Sequence, residues 1–293
     1  MPVYNAQAFL KKAIDSVLSQ TFENFEFIIV NDGSKDNSEK IILSFNDPRI
    51  KYIHQENTGI GGALIKGCTH ATGKYIARMD ADDICISNRL ELQYNFLEKN
   101  NTIILVSSAV IYIDDRDNVI GRSFPYTSDH SIKNMLKQGS TICHPAVMMK
   151  REAYIKAGGY NDLIGIEDLY LWKKMSEIGN FYNFSIPLIK YRVSQTSISR
   201  SIKKDDYKKI INILFDKTNK GVLSQQDTIM IKEMYISAKE VRDVNSISFE
   251  LTNLNLNNNI ELKLMAILSF FKLRESVKER IICFMKNIFG LIK

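Results

Sequence analysis

An α/β fold, a mostly parallel sheet covered by helices and continued by an all-helical C-terminal extension, is predicted by two features of this chain. Strand-like and helix-like segments alternate through the first half, the succession that a parallel sheet with crossover helices requires. After Arg200 the composition shifts to Lys, Asn, Ile and Leu at helical spacing with almost no Gly or Pro. That shift places a domain boundary near Ser201, separating residues 1–200 from 201–293.

The elements follow in order. Phe9, Leu10, Ala13, Ile14, Val17 and Leu18 recur at helical spacing behind Asn5, a suitable N-cap, and predict a helix over 6–20. A buried strand over 25–30 stops at Asn31-Asp32-Gly33-Ser34. A helix over 38–45, a strand over 49–54, a helix over 61–70 and a strand over 74–79 complete a βαβαβ succession. A helix over 88–99 and a long apolar strand over 103–113 come next, closed by the turn Asp114-Asp115-Arg116-Asp117-Asn118. From 123 to 191 the pattern is irregular, punctuated by His144-Pro145, Gly158-Gly159 and Gly165, as expected where loops form a substrate pocket. The Asn-rich stretch 253–259 reads as a loop between helices.

The start is short for this fold. Only Met1-Pro2-Val3 precede Tyr4-Asn5, whereas a first strand would be central, with a neighbour on each side. Its absence would leave two ladders unpaired. The expectation is that the natural chain begins upstream.

Composition narrows the function classes. Hydrophobic content of 45% and charged content of 25% are those of an ordinary globular protein. Cys68, Cys85, Cys143 and Cys283 are far apart and form no Cys-x-x-Cys pair, which argues for a reducing compartment and against structural zinc. Uncharged runs such as 102–113 are too short to span a bilayer, and no stretch with a basic start and apolar centre precedes the first motif. The expected location is the cytoplasm.

Three carboxylates stand within four residues at Asp80-Ala81-Asp82-Asp83, just beyond the strand over 74–79. Such a cluster repels itself unless water, a basic partner or a cation compensates it, and hard divalent ions prefer oxygen ligands. In open α/β sheets ligands bind beyond the carboxyl ends of strands. An acidic turn in water is the alternative. Asp32 also ends a strand, where its carboxylate could accept from a base N–H or a ribose hydroxyl, or simply make an Asp-Gly turn. Gly59-Ile60-Gly61-Gly62 lacks the third glycine of a dinucleotide fingerprint, because position 64 is Leu64. Glu167-Asp168 opens a helical stretch and can cap it. Arg78 can pair with the acids or with phosphate, while Lys66 and Arg89 read as surface or salt-bridging residues.

Taken in order, Pro2-Val3-Tyr4-Asn5, Asn31-Asp32-Gly33-Ser34, Glu56-Asn57-Thr58-Gly59, Ala77-Arg78-Met79-Asp80-Ala81-Asp82-Asp83, Asn88-Arg89-Leu90-Glu91-Leu92-Gln93, His144-Pro145-Ala146-Val147, Ala157-Gly158-Gly159-Tyr160 and Glu167-Asp168 with Trp172 resemble the family 2 glycosyltransferases. The resemblance covers roughly the first 200 residues. It implies the GT-A fold, a Rossmann-like mixed sheet flanked by helices, with a nucleotide-sugar donor, a divalent cation (Mn²⁺ or Mg²⁺) and inversion at the anomeric carbon. Carried over by residue, it implies that Pro2 and Tyr4 line the base pocket, that Asp32 holds the uracil edge of UDP, and that Arg78 and Asp80 belong to the donor site. Asp82, with Asp80, would hold the metal. Asp168 would be the catalytic base, with Glu167 beside it and His144 and Trp172 in the acceptor pocket, although His144 also fits the end of a strand. At Tyr191-Arg192-Val193-Ser194 the sequence departs from relatives that carry histidine where Ser194 stands, so the metal shell lacks that ligand, while Arg192 and the loop after it could close over the phosphates.

The function implied is transfer of a hexosyl or N-acetylhexosaminyl group from a UDP-sugar to a saccharide or lipid-linked acceptor in bacterial surface-glycan synthesis. A sugar nucleotidyltransferase and a silent nucleotide-sugar-binding scaffold are the alternatives. No nucleic-acid partner is expected. In the tail, Val277, Ile281, Phe284, Met285, Ile288 and Ile292 form one apolar stripe, and 261–293 holds seven Lys or Arg against three Glu, a net +4. A basic amphipathic helix of this kind can lie on an anionic inner leaflet or pack against its neighbours.

Overall fold

The computed structural model describes residues 1–163, 165–193, 204–215 and 227–229. The first half alternates as expected: β1 (Pro2–Val3), α1 (Leu10–Leu18), β2 (Phe27–Asp32), α2 (Ser38–Leu43), β3 (Ile50–Gln55), α3 (Gly59–His70), β4 (Tyr75–Ala77), β5 (Ile84–Cys85) and α4 (Arg89–Lys99). The long strand β6 (Ile103–Ile113) forms a hairpin with β7 (Val119–Arg122), and α5 (Asp129–Leu136) follows. A 3-10 turn at His144–Ala146 leads into β8 (Met148–Lys150), α6 (Arg151–Lys156), α7 (Glu167–Ser176), β9 (Asn180–Arg192) and α8 (Lys204–Leu214). Among the described residues no helix is long and apolar enough to cross a membrane.

Helix α1 buries Leu10, Ala13, Ile14 and Val17, the stripe its sequence carries. It starts later than expected because Asn5 does not cap it. Asn5 sits at φ +49°, a left-handed conformation that asparagine tolerates. Its backbone N–H donates to Ser34 Oγ at 3.0 Å and its Oδ1 accepts from Lys35 N at 2.7 Å, so it ties the loop after β1 to the turn after β2. Gly33 in that turn has φ +71°, and a Cβ there would stand 2.9 Å from Asn57 N.

The strands form two sheets instead of one. β1, β2 and β3 are parallel neighbours in that order, while β4-β8-β6-β9-β5 form a mixed sheet with β7 on β6. Of the two ladders expected for the first strand, β1 makes the one with β2 and, among the described residues, pairs with no other strand. A cavity of about 620 Å³, lined by Met1, Pro2, Phe27, Ala63, Ile76 and Arg78 among others, lies between β2 and β4. The Met1 amine donates to Ile28 O at 2.9 Å, and burial pushes its pKa down to about 5.

The irregular reading of 123–191 missed the longest strand. β9 runs parallel to β6, from Ile103 opposite Asn180 to Ile113 opposite Arg192. Its sequence hides this, because Pro187 interrupts it and polar residues break its alternation. Pro187 lies opposite Ala109, where the register shifts, the kind of irregularity at which a strand accommodates proline.

Arg89 is neither a surface nor a salt-bridging residue. It is 1% exposed, and its guanidinium donates to Arg78 O at 2.7 Å, Val147 O at 3.1 Å and Gln93 Oε1 at 3.0 Å. It thereby pins the chain leaving β4 to the turn before β8.

A large core cluster gathers Leu105, Val147, Met149, Leu171, Trp172, Phe181 and, from α8, Ile210, Ile211 and Leu214. All described residues lie in the first of two units, Met1–Arg242; the second, Asp243–Lys293, lies outside them, as do the Asn-rich loop and the amphipathic stripe. The boundary expected near Ser201 also falls outside the described residues.

Replacing Arg89 with leucine takes from the Arg78 carbonyl the bond that Arg89 supplies and leaves the Gln93 amide oxygen short of a donor, while Val147 O keeps its bond from Arg78 N at 2.9 Å. Arg89→Leu is expected to cost about 2–4 kcal/mol of stability. Urea denaturation checks this, and a loss below about 1 kcal/mol would show that the Arg78 carbonyl finds another partner.

Candidate active site

The acidic cluster lies directly beyond β4. Single carboxylate oxygens of Asp80, Asp82 and Asp83 come within 4.8 Å of one another. Arg78, 5% exposed, forms an ion pair with Asp80. Burial works against the Arg78 charge, yet Asp80, Tyr160 and Asp83 outweigh it and push its pKa up. Asp82 is pushed up to about 6 by burial and by Asp80, with Arg78 and Arg192 pulling the other way. Burial and the same acids raise Asp83 well above the carboxylate range. One Asp83 oxygen accepts from Arg192 N at 2.7 Å, while Oδ2 is buried without a hydrogen-bond partner. Three clustered carboxylates, with an orphaned oxygen on Asp83 and raised proton affinities at Asp82 and Asp83, fit a hard divalent cation, which would lower these costs together.

Arg192 does not reach toward a phosphate. It is 1% exposed and donates to Asp82 O at 2.8 Å, Asp114 O at 2.6 Å and Asp117 Oδ1 at 2.6 Å. It fixes the acidic cluster to the β6–β7 turn. Ser194 lies outside the described residues.

A second acidic pair stands at the N-terminus of α7. Glu167 is 5% exposed, whereas the Asp168 side chain keeps 23% of its area open to solvent. Burial and the neighbouring Asp168 push Glu167 up to about 8. Burial also raises Asp168, against a bond from Leu169 N at 2.6 Å and the field of Arg78. His144 Nδ1 sits 3.9 Å from both Glu167 Oε1 and Asp168 Oδ2. Its Nε2 lies 2.8 Å from Tyr160 Oη. Burial and then Arg78 lower its pKa, so the imidazole is neutral.

Trp172 is fully buried in the core, edge-on to His144 with ring centroids 5.7 Å apart, and leaves no wall open to an acceptor. His144 is 9% exposed, buried between Tyr160 and the acidic pair rather than finishing a strand.

The residues expected to form the base pocket stand on β1, on β2 and in the loop after β1. Tyr4 is 52% exposed. Asp32 is 2% exposed and caps α3: it accepts from Thr58 N at 2.9 Å, Gly59 N at 2.9 Å and Gln55 Nε2 at 2.7 Å. Among the described residues its Oδ2 takes the Gly59 bond alone, which leaves capacity for one more. Pro2 lines the cavity between the sheets.

Sequence reasoning did not find Arg89, Arg192 as a brace, or Tyr160 as the partner of His144. Asp83 was visible within the acidic run, but its bond to Arg192 N spans 109 positions and has no local signal.

Residues 1–158 match the family model described as glycosyl transferase family 2. This chain belongs to that family. An uncharacterized glycosyltransferase of Rickettsia typhi is 32% identical, over 79% of this family 2 chain and 74% of its own length. The UDP-Glc:alpha-D-GlcNAc-diphosphoundecaprenol beta-1,3-glucosyltransferase WfgD of Escherichia coli is 32% identical, over 70% of this chain and 80% of its own. Among solved structures, S. aureus TarS 1-349 in complex with UDP-GlcNAc superposes with a TM-score of 0.60 at 15% identity, covering 91% of this chain and 77% of that one. A Pyrobaculum calidifontis mannosyltransferase in complex with GDP-Man and Mn²⁺ gives 0.55 at 15% identity, covering 99% and 86%. The fold is therefore GT-A, and the glycosyltransferase has an acidic cluster suited to a divalent ion.

The Glu167 shift fixes a sign. The folded enzyme holds the Glu167 proton up to about pH 8, while the unfolded chain releases it near 4.5. Between those values the native state binds more protons, so this group's contribution to stability falls as pH rises. Glu167→Gln carries no ionisable proton. It is expected to match the parent near pH 4.5 and to be about 1–3 kcal/mol more stable at pH 8, by urea denaturation. A difference that does not change with pH would contradict the raised proton affinity.

Proposed function

We propose that this glycosyltransferase moves a sugar from a UDP-sugar, with inversion, to a hydroxyl of a saccharide or lipid-linked acceptor in bacterial surface-glycan synthesis. The observation that carries the reading is the pairing of two acidic sites with different fates. Asp80, Asp82 and Asp83 crowd together beside Arg78, whereas Asp168 alone of its pair meets solvent.

Inverting displacement at C1 needs a base for the acceptor proton and charge compensation for the leaving diphosphate, and no enzyme nucleophile. Asp168 takes the acceptor proton as the acceptor oxygen bonds to C1 and the C1–O bond to UDP breaks. Its raised proton affinity brings it toward the working range of a base while Arg78 limits the rise. Asp82 and Asp80, with Asp83, would hold Mn²⁺ or Mg²⁺, which when bound neutralises charge on the departing diphosphate. Glu167 stays protonated and adds no second negative charge beside the base. Asp32 offers Oδ2 to the base edge of the donor.

A uridine donor is supported by Asp32, by the UDP-Glc donor of WfgD and by the UDP-GlcNAc bound to TarS. The GDP-Man complex of the mannosyltransferase supplies the competing donor. The basic stripe at 261–293 supports a peripheral seat on the inner face of the cell membrane, where a lipid-linked acceptor would be met.

The test is release of UDP from a panel of UDP-sugars in the presence of Mn²⁺ and candidate acceptors, with GDP-mannose alongside. Asp168→Asn is expected to lower kcat about 10²–10⁴-fold while Mn²⁺ and UDP still bind. Asp82→Asn should instead weaken Mn²⁺ binding in titration calorimetry. Turnover of GDP-mannose alone would overturn the uridine donor, and UDP binding without any turnover would overturn the enzyme.

The whole chain should also sediment with anionic vesicles and not with zwitterionic ones. Equal behaviour toward both would remove the electrostatic seat.

A further inference from the structure

We infer that Tyr160 is a positioning residue whose hydroxyl donates to His144 Nε2, fixing the imidazole as the neutral Nδ1–H tautomer that faces the Glu167–Asp168 pair. This rests on Asp168 being the base. Three observations carry it. The Tyr160 hydroxyl lies 2.8 Å from Nε2, and both side chains are buried, at 6% and 9% exposure. Opposite, Nδ1 is equidistant, at 3.9 Å, from Glu167 Oε1 and Asp168 Oδ2. The backbone before Tyr160 is shaped to seat it: Gly158 and Gly159 have φ +85° and +69°, and a Cβ on Gly159 would stand 2.9 Å from Tyr154 Oη. That same Tyr154 hydroxyl accepts from Tyr160 N at 3.1 Å.

A neutral imidazole carries one N–H, and the hydrogen bond at one nitrogen decides which. Burial raises the Tyr160 pKa, so the phenol keeps its proton to donate. Charged and titratable groups facing these two rings are Arg78 beyond β4, Cys68 on α3, Tyr154 on α6, and Glu167 and Asp168 on α7. With Tyr160 donating, Nδ1–H turns its positive end toward the carboxylate of Asp168 and favours the unprotonated base. With the tautomer reversed, a lone pair would face that carboxylate and favour its protonated form.

The experiment is performed on the full chain labelled with ¹⁵N-histidine. There are four histidines, so the spectrum of His144→Asn assigns the signal of His144. Long-range ¹H–¹⁵N spectra should show Nδ1–H in the parent and Nε2–H, or a mixture, in Tyr160→Phe. In kinetics, the acidic limb of the kcat/KM profile should move up by about half to one pH unit in Tyr160→Phe, with donor KM unchanged. In the His144→Asn background, where an amide N–H has no tautomer to lose, adding Tyr160→Phe should move the limb no further.

An Nε2–H tautomer in the parent, or an unchanged tautomer and profile in Tyr160→Phe, overturns the inference while leaving the base untouched. Full turnover in Asp168→Asn would overturn the base while leaving the tautomer result standing.

Discussion

Arg78 is the charge on which the rest of the site depends. It is a buried cation paired with Asp80, and its field acts on Asp82, Asp83, Glu167, Asp168 and His144. Five carboxylates in a poorly solvated region would otherwise drive one another to protonate. Arg78 keeps part of that charge in place, which leaves anionic oxygens for the proposed cation at one end and the proposed base at the other. Burial first, and the Arg78 field after it, disfavours the imidazolium of His144 and so works against an acid–histidine ion pair beside α7. A neutral ring facing two carboxyls is the outcome.

Two further arginines hold this arrangement mechanically, and neither is exposed. Arg89 bonds carbonyls on both sides of the β4–β8 contact, and Arg192 bonds Asp82 O together with the turn after β6. The guanidinium suits this task because it offers five donors in a fixed plane. Arg78 therefore supplies field, while Arg89 and Arg192 supply position. In Arg192 three different nitrogens serve Asp82 O, Asp114 O and Asp117 Oδ1, a spread that the single Nζ of a lysine does not have.

Much of the fold was legible because local pattern and burial agree. The α1 stripe, the apolar β6 and the turn at 114–118 follow from periodicity and turn chemistry alone. The acidic run and Glu167-Asp168 were legible because residue type announces charge. Other parts lack such a signal. β9 carries a proline and polar positions that only its bulged pairing with β6 explains. Arg89 looks like any helix-surface arginine until its carbonyl partners are known. The Asp32 cap on α3 competes with the nucleotide-binding role that its place at a strand end suggests. His144 reads as a strand end or a pocket wall, and only the 2.8 Å approach of Tyr160 distinguishes it from both.

The bond from Arg192 N to Asp83 has a consequence for the order in which the enzyme comes into being. It joins positions 109 apart, and β9 delivers it as the last strand of the mixed sheet among the described residues. At about 5–20 residues per second, a ribosome exposes the acidic cluster roughly 5–20 s before it adds the strand that completes it. During that interval the nascent chain carries carboxylates that Arg192 has not yet braced. The first 158 residues, which carry the family's pattern, thus cannot finish the active site alone; synthesis must run through β9 first.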